Sequence, residues 1–404
     1  MIRKIARVFA YLFVFSIPWE NALVVGESSI TRTIGIGAAG VWILSLFFEK
    51  KIRKPHRMYF FALLFVIWNL MNVYWTKDMD ITIQRIKTYT QLILFSFVIW
   101  DMVNTPREFR TVMQFFVLGS YVSIFSLFVN FFNDQEAYAY SSRFTGAQLN
   151  ANDLGVILAM SLPMAWFLII GNGKPKINVQ SLVNILFIPA AFVAIILTGS
   201  RTALLVSIPF ALYLTYTLLH SNPKVLVAVL SVQLVLFLVV FPLVPTATLQ
   251  RLGTIGDSIS EADLGGRVGL WYRSLESFTH HPLLGTGSGS NKSVIGAVSH
   301  NTFISVLSEQ GVIGFSIFVL FLLSALTALL EKRNEFSGLM AVVLLIWFLS
   351  VNTLTWEYHK VTWLLMTFTI IAMNIQPEAE KEAEKVIPGG KQAQANLPFQ
   401  NSKA

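Results

Sequence analysis

The chain has no cysteine among its 404 residues, which excludes disulfides and every thiolate-ligated metal site. Charge is scarce too. Asp, Glu, Lys and Arg make up 13% of the residues against 54% hydrophobic, and the mean hydropathy is +0.62. A soluble protein of this length needs far more charged surface, so the composition is that of an integral membrane protein. With six histidines, imidazole chemistry has few candidates. No Rossmann-type unit is present to hold a nucleotide sugar, and there is no internal repeat, heptad seam or low-complexity block in the apolar part. The alternating pattern of barrel strands is missing. In lipid every backbone amide must be paired within its own segment, which leaves helices.

A spanning helix takes roughly 20 mostly apolar residues, and about twelve such runs can be marked. They fall at 8–25, 31–48, 58–75, 83–103, 109–132, 152–171, 181–198, 202–219, 225–243, 302–330, 336–355 and 360–376. The basic N-terminus, Met1 to Arg7, followed by an apolar run without a small-residue cleavage site, reads as an uncleaved first helix. When the loops are assigned alternately to two sides, nineteen of the thirty Lys and Arg residues lie on the side of the N-terminus, in much shorter loops. The positive-inside rule then puts both termini in the cytoplasm and the long loop outside, at the periplasmic face of a bacterial inner membrane. The net charge of +8 therefore reports topology, not nucleic acid. The expected organisation is nine transmembrane helices over 1–243, a periplasmic loop with an amphipathic helix over 244–300, three further helices over 301–376, and a disordered cytoplasmic tail over 377–404.

Polar side chains concentrate on the outer side. Arg201 sits in Leu197-Thr-Gly-Ser-Arg201-Thr202, a tight link between two apolar runs. A charge at that depth usually faces a cavity and marks a function. Ser200 or Thr202 can cap the next helix, and a helix N-terminus beside a guanidinium is an anion site. An arginine snorkelling to headgroup phosphates is the plainer reading. Arg267 follows Gly265-Gly266 at the start of a helical pattern whose Leu270, Trp271, Ser274, Leu275 and Phe278 share one face. Arg273 lies on the far side of that stripe. Arg267 either binds an anion beside exposed amides or pairs with Asp257, Glu261 or Asp263. His300 precedes Asn301 and opens a helix of about thirty residues, longer than the hydrocarbon core, whose bend is expected at Gly311 and Gly314. An imidazole at that boundary can accept a proton near neutrality, or simply cap the helix. Glu309, nine residues on, points away from His300 on a straight helix and is expected to bind a neighbouring helix.

Several patterns are weaker. Asp78-Met-Asp80 reads as solvated loop acids rather than a metal site. His280-His281 followed by Pro282 is a helix stop. Gly285-Thr-Gly287-Ser-Gly289 lacks a dinucleotide-site context and reads as a flexible loop. Asn150-Ala-Asn152-Asp153 is a helix cap, with Asn152 a candidate substrate contact. Trp19, Trp75, Trp100, Trp356 and Trp363 fall near span ends and read as an aromatic belt.

Four stretches carry a resemblance: Thr198-Gly-Ser-Arg201-Thr-Ala-Leu, Gly266-Arg267-Val-Gly-Leu-Trp271, His281-Pro-Leu-Leu-Gly285-Thr-Gly287 and, above all, His300-Asn301-Thr-Phe-Ile-Ser-Val-Leu-Ser-Glu309-Gln-Gly311-Val-Ile-Gly314. In these, and in the twelve-span plan with one long penultimate outer loop, the chain resembles the O-antigen ligase and polymerase family of bacterial envelope proteins. The resemblance implies an all-α fold of the C-type glycosyltransferase kind. It also implies transfer of a glycan from undecaprenyl pyrophosphate to an acceptor hydroxyl, here on lipid A–core, without metal or cofactor. On the matching positions, Arg201 and Arg267 would bind the pyrophosphate and His300 would be the general base; Asn301, Asn152 and Trp271 are further candidate substrate-binding residues. Only 244–300 is a long outer loop, which favours the ligase over a repeat-unit polymerase. A lipid-linked oligosaccharide flippase would place polar residues near the midplane.

Overall fold

The computed structural model describes residues 1–25, 28–133, 143–171, 178–220, 244–254 and 266–375, with isolated positions between 227 and 242. The apolar runs are helices: α1 (Ile2–Ser16), α2 (Ile30–Glu49), α3 (Arg57–Met71), α4 (Met79–Met102), α5 (Pro106–Asn133), α6 (Ala151–Ile170), α7 (Val179–Leu197), α8 (Arg201–Val206) and α9 (Ile208–Leu219). Three short helices follow, α10 (Thr246–Gly253), α11 (Arg267–His280) and α12 (Asn291–Ile295), then α13 (Thr302–Glu331), α14 (Ser337–Val351) and α15 (Lys360–Asn374). The β structure among the described residues is a two-residue ladder, Val24–Val25 against Ser28–Ser29.

Seven of the described helical segments are long and apolar enough to cross a membrane: α2, α3 with the 3-10 turn after it, α5, α6, α7, the joined α8–α9, and α13. The protein is an all-helical, polytopic membrane protein. The run at 225–243 and the tail at 377–404 lie outside the described residues. Three expected spans differ in detail. The first helix stops at Ser16, where Pro18 opens a 3-10 turn. The run at 202–219 is interrupted at Ser207 just before Pro209. The run at 336–355 ends at Val351, and residues 352–359 form a loop instead.

Two helices hold the centre. α6 is hydrophobic all round and buried from Leu154 to Phe167, and α15 is buried from Val361 to Met373. α6 packs against α5, α7, α8 and α14, while α15 packs against α4, α13 and α14. Peripheral α2 and α9 keep Phe47, Phe48, Leu212 and Leu219 on the outside, as a lipid-facing surface should. Trp100, Trp356 and Trp363 correct the belt reading, since each is at most 3% exposed. Their indole N–H groups are satisfied inside by Lys54 O, Asp153 Oδ1 and Glu357 O at 3.1, 2.9 and 2.9 Å, which removes the reason for a tryptophan to stay at the wet boundary.

The loops sort onto two opposite ends. At one end, buried Asp101 takes Arg3 Nη2 at 3.0 Å, the Arg53 amide at 2.6 Å and the Trp42 indole at 2.8 Å. Arg7–Glu108, Arg57–Glu331 and Arg110–Glu335 pair there, each at 2.6 Å. At the other end, the Lys77 amide donates to Thr286 O at 3.0 Å, Thr353 to Thr202 at 3.2 Å, and Asn301 Nδ2 to Asn352 O at 3.2 Å, while Lys360 pairs with Glu20.

α13 breaks where its length demanded, at Gly311, whose φ of 64° and ψ of −175° are non-helical. A Cβ there would stand 2.2 Å from the Leu283 carbonyl oxygen, so only glycine admits the strand of loop that enters the break. Val312 N donates to Pro282 O at 2.9 Å, Thr286 N to Ser308 O at 3.2 Å and Gly287 N to Glu309 O at 2.8 Å. Glu309 Oε2 takes the Gly289 amide at 2.7 Å and Oε1 the Asn291 amide at 3.2 Å. The glycine-rich 285–289 stretch is therefore buried and strapped to α13 rather than a free loop, and Glu309 holds both that strap and the first residue of neighbouring α12, with Arg85 of α4 close by.

Candidate functional site

The site is assembled around the link between α7 and α8. Thr198 ends α7, Gly199 turns the chain at a φ of 55°, and Ser200 Oγ caps α8 by accepting from Ala203 N at 3.2 Å. Gly155 of α6 lets this link approach, since a Cβ there would lie 2.5 Å from the Ala203 Cβ. Asn152 Oδ1 accepts from Ser200 Oγ at 2.9 Å and from Arg143 Nη2 at 2.6 Å, and Arg143 Nε donates to Thr198 O at 3.1 Å. Arg201 thus stands on the first turn of α8 with a rigid backbone beneath it.

Arg201 reaches α10. Its Nε donates to Arg251 O at 3.1 Å and its Nη2 to Thr254 Oγ1, while Arg251 Nε returns to Gly199 O at 3.1 Å. Arg267, on the first turn of α11, joins them. Burial lowers its pKa first, and the neighbouring charges of Arg201 and Arg251 lower it further. Arg267 is half-buried and makes no hydrogen bond or ion pair among the described residues. Its sequence alternatives, Asp257, Glu261 and Asp263, lie outside the described residues. Trp271, one turn along α11, keeps a buried indole N–H without an acceptor.

His300 stands at the entrance to α13, half-buried, with a φ of 49° that few non-glycine residues adopt. Asn301 rather than His300 is the cap, its Oδ1 accepting from Phe303 N at 3.0 Å and Ile304 N at 3.1 Å. Thr302 Oγ1 donates to Leu354 O at 2.7 Å and accepts from Trp356 N at 2.9 Å. The backbone around His300 is fixed, while its imidazole makes no hydrogen bond among the described residues. Burial lowers the His300 pKa below its ordinary value; the Arg267 charge lowers it further and the Asp153 charge opposes both. The imidazole is therefore neutral at pH 7 and able to accept a proton.

Arg201, Arg267 and His300 thus lie in one electrostatic neighbourhood at one end of the helical body, although they are far apart in sequence. Trp271 is on the same short helix as Arg267. Asn152 and Asn301 are present too, but their carboxamides are committed to the scaffold, which makes them residues that hold the link and the helix entrance.

Two members of the site, Arg251 and Asp153, were not legible as such in the sequence, and a third charge, Arg85, lies apart from them. Arg251 was one charge in a long loop, and only the packing of α10 under α8 brings it in. Asp153 was counted as part of a cap; its Oδ1 accepts from Trp356 Nε1 at 2.9 Å, and its charge reaches both His300 and His359. Arg85, a charge inside an expected span, was legible as an anomaly. Its guanidinium lies 3.1 Å over the Tyr358 ring, close to buried Glu309 and Glu357. Burial raises the Glu357 carboxyl above the usual carboxylate range against the pull of Arg85. Asp78 caps α4, its Oδ1 accepting from Ile81 N at 3.1 Å, and takes Ser293 Oγ on the other oxygen. No group of three or more metal-ligating side chains occurs among the described residues.

No curated protein matches the chain. The model of a family described as O-antigen ligase matches residues 185–319, the stretch that holds Arg201, Arg251, Arg267, His300 and Glu309. Residues 185–319 are therefore similar to the O-antigen ligase family, whose members are membrane glycosyltransferase-like enzymes.

Proposed function

We propose that this protein is an inverting membrane glycosyltransferase that moves a glycan from undecaprenyl pyrophosphate to an acceptor hydroxyl on lipid A–core. The observation that carries the reading is the pairing of an unengaged neutral imidazole, His300, with an unengaged guanidinium, Arg267, beside Arg201 and Arg251. A base and an anion clamp are what glycosyl transfer from a pyrophosphate donor requires. His300 Nε2 or Nδ1 takes the proton of the acceptor hydroxyl as its oxygen attacks the anomeric carbon. The bond from that carbon to the pyrophosphate oxygen breaks, and the electron pair leaves with undecaprenyl pyrophosphate. Arg201 and Arg267 hold the phosphates, with the α8 N-terminus behind them, and disperse the charge that develops on departure. Attack opposite the leaving group inverts the anomeric centre. Trp271, one turn along α11 from Arg267, is the proposed contact to the glycan, and Asn152 and Asn301 keep the two arms of the site in register.

The proposed setting is a bacterial inner membrane with about twelve spans, both termini cytoplasmic and the 244–300 segment periplasmic. The gathering of Arg3, Arg7, Arg53, Arg57 and Arg110 at the end away from His300 supports that orientation. We assign the membrane bundle to 1–243 and 301–376. A polymerase of the same family would use the same chemistry on a lipid-linked acceptor.

The test is transfer from purified lipid-linked glycan to acceptor by the wild type and by His300→Ala. A positioned base is worth about 10²–10⁴ in rate, so the variant should retain at most about a hundredth of the activity. Near-normal turnover removes His300 from the mechanism. A deletion strain separates the acceptors: polymer left on the lipid carrier means a ligase, single repeat units mean a polymerase.

A further inference from the structure

α11 separates two concave surfaces. Its first turn carries Arg267 into the site above. Arg273 follows six residues later, which at 100° and 1.5 Å per residue places it about 9 Å along and well round the helix. Arg273, Glu276, Ser277 and His280 recur at i, i+3, i+4 and i+7, a single polar stripe, and all four line a cavity of about 670 Å³. Lys77 and Thr286 form part of the opposing wall, and His281 closes the end beside His280. The reaction proposed above makes no use of this cavity.

We propose that it is a binding site for an acidic saccharide, a sugar chain carrying carboxylate or phosphate groups. Its volume falls within the roughly 300–1,000 Å³ of ligand pockets. Its walls are preformed. The Lys77 amide is tied to Thr286 O at 3.0 Å, Arg273 Nη1 to Ile295 O at 3.2 Å, and Asp78 to Ser293. The 285–289 floor is strapped to α13 through Glu309. Its charge is unbalanced. Neither Lys77 nor Arg273 has a carboxylate partner among the described residues, and Glu276 is the one acid among the lining side chains. Two cations therefore face an open hollow with two imidazoles, one carboxylate and the Ser277 hydroxyl, while the Thr286 hydroxyl is engaged by Ser290 and Ser308 and the Ser293 hydroxyl by Asp78. Arginine and lysine select carboxylate or phosphate. The carboxylate of Glu276 and the imidazoles of His280 and His281 match sugar hydroxyls, and the lining offers no Phe, Tyr or Trp face on which a nucleobase would stack. That the saccharide is an extension of a glycan reacting at His300 rests on the transferase reading; the binding itself does not.

The experiment uses the full chain in phosphatidylcholine nanodiscs, titrated with trigalacturonic acid and, in parallel, with maltotriose of the same length and no charge. Trigalacturonic acid is expected to bind at least about tenfold more tightly, a difference of about 1.4 kcal/mol. The Lys77→Ala, Arg273→Ala double variant, whose side chains are exposed, should elute as the wild type does and lose about tenfold in affinity for the acid alone. His300→Ala and Arg267→Ala should bind it as the wild type does. Equal binding of maltotriose, full affinity in the double variant, or loss in Arg267→Ala would each overturn the proposal. Normal glycan transfer by His300→Ala would sink the transferase reading while leaving this binding result untouched. Inclusion of the trisaccharide as competitor in a transfer assay then tells donor from acceptor glycan by which substrate's KM rises.

Discussion

Gly311→Ala should unseat the support of the site while leaving every reactive group in the sequence. Gly311 sits at φ 64° and ψ −175°, a region open essentially to glycine alone. Holding alanine there costs about 1–3 kcal/mol. Its Cβ would stand 2.2 Å from Leu283 O, 2.4 Å from Leu283 C and 2.6 Å from Leu284 N, all backbone atoms that no rotamer change can move. Relief requires the 282–284 segment to withdraw from the break, which gives up the 2.9 Å bond from Val312 N to Pro282 O, worth about 1 kcal/mol. The loss is then about 2–4 kcal/mol by these two effects. Gly40→Ala is the matched control: it lies inside α2 with no atom within 4 Å of the added Cβ, and alanine there gains up to about 1 kcal/mol of helix propensity. Thermal unfolding in one detergent, followed by tryptophan fluorescence, should put Gly311→Ala several degrees below wild type and Gly40→Ala at or above it. Glycan transfer at a temperature where both are folded should fall for Gly311→Ala, because the turn that presents His300 hangs from the same helix. Equal unfolding midpoints for the two variants would refute the claim that the loop is wedged into a glycine-only break.

Because burial and Arg267 lower the His300 pKa, the acid limb of kcat/KM should reach half-height below pH 6.5; Asp153→Asn removes the one charge that opposes them and should move that limb to still lower pH, whereas a purely structural defect would lower the plateau without moving it. Arg267→Ala should reduce transfer by about 10²–10³, and Arg267→Lys should recover only part of that, because lysine keeps the charge and loses the fork. The absence of native cysteine makes labelling clean: Lys292→Cys should react with an impermeant maleimide added outside intact spheroplasts and Lys332→Cys only after lysis, and the reverse pattern would invert the proposed topology.

Much of the architecture was legible in the residues because lipid leaves the backbone so little choice. Each apolar run had to be a helix, and the positions of α2 through α9 and α13 through α15 follow from hydropathy to within a few residues. The caps at Ser200 and Asn150 and the break at Gly311 were also readable, since each is a local solution to a local need, an unpaired amide or a forbidden φ, whereas Asp78, read as a solvated loop acid, is a cap as well. The tryptophans misled. Their amphipathic rings suit a membrane boundary, but Trp356 and Trp363 find acceptors inside the bundle instead.

What the sequence by itself determined was the helical plan, the crowding of reactive side chains into 197–202 and 264–314, and the identity of Arg201, Arg267 and His300 as the unusual groups among them. Only the tertiary structure decided that these three share a neighbourhood, that Arg251 and Asp153 belong with them, and that the glycine-rich stretch is a strap. The physical reason is range. Hydropathy, capping and backbone strain act over a few residues and leave a mark on the local sequence. A charge felt across three helices, or a loop threaded into another helix's break, depends on packing between segments tens of residues apart or more, and no local pattern records it.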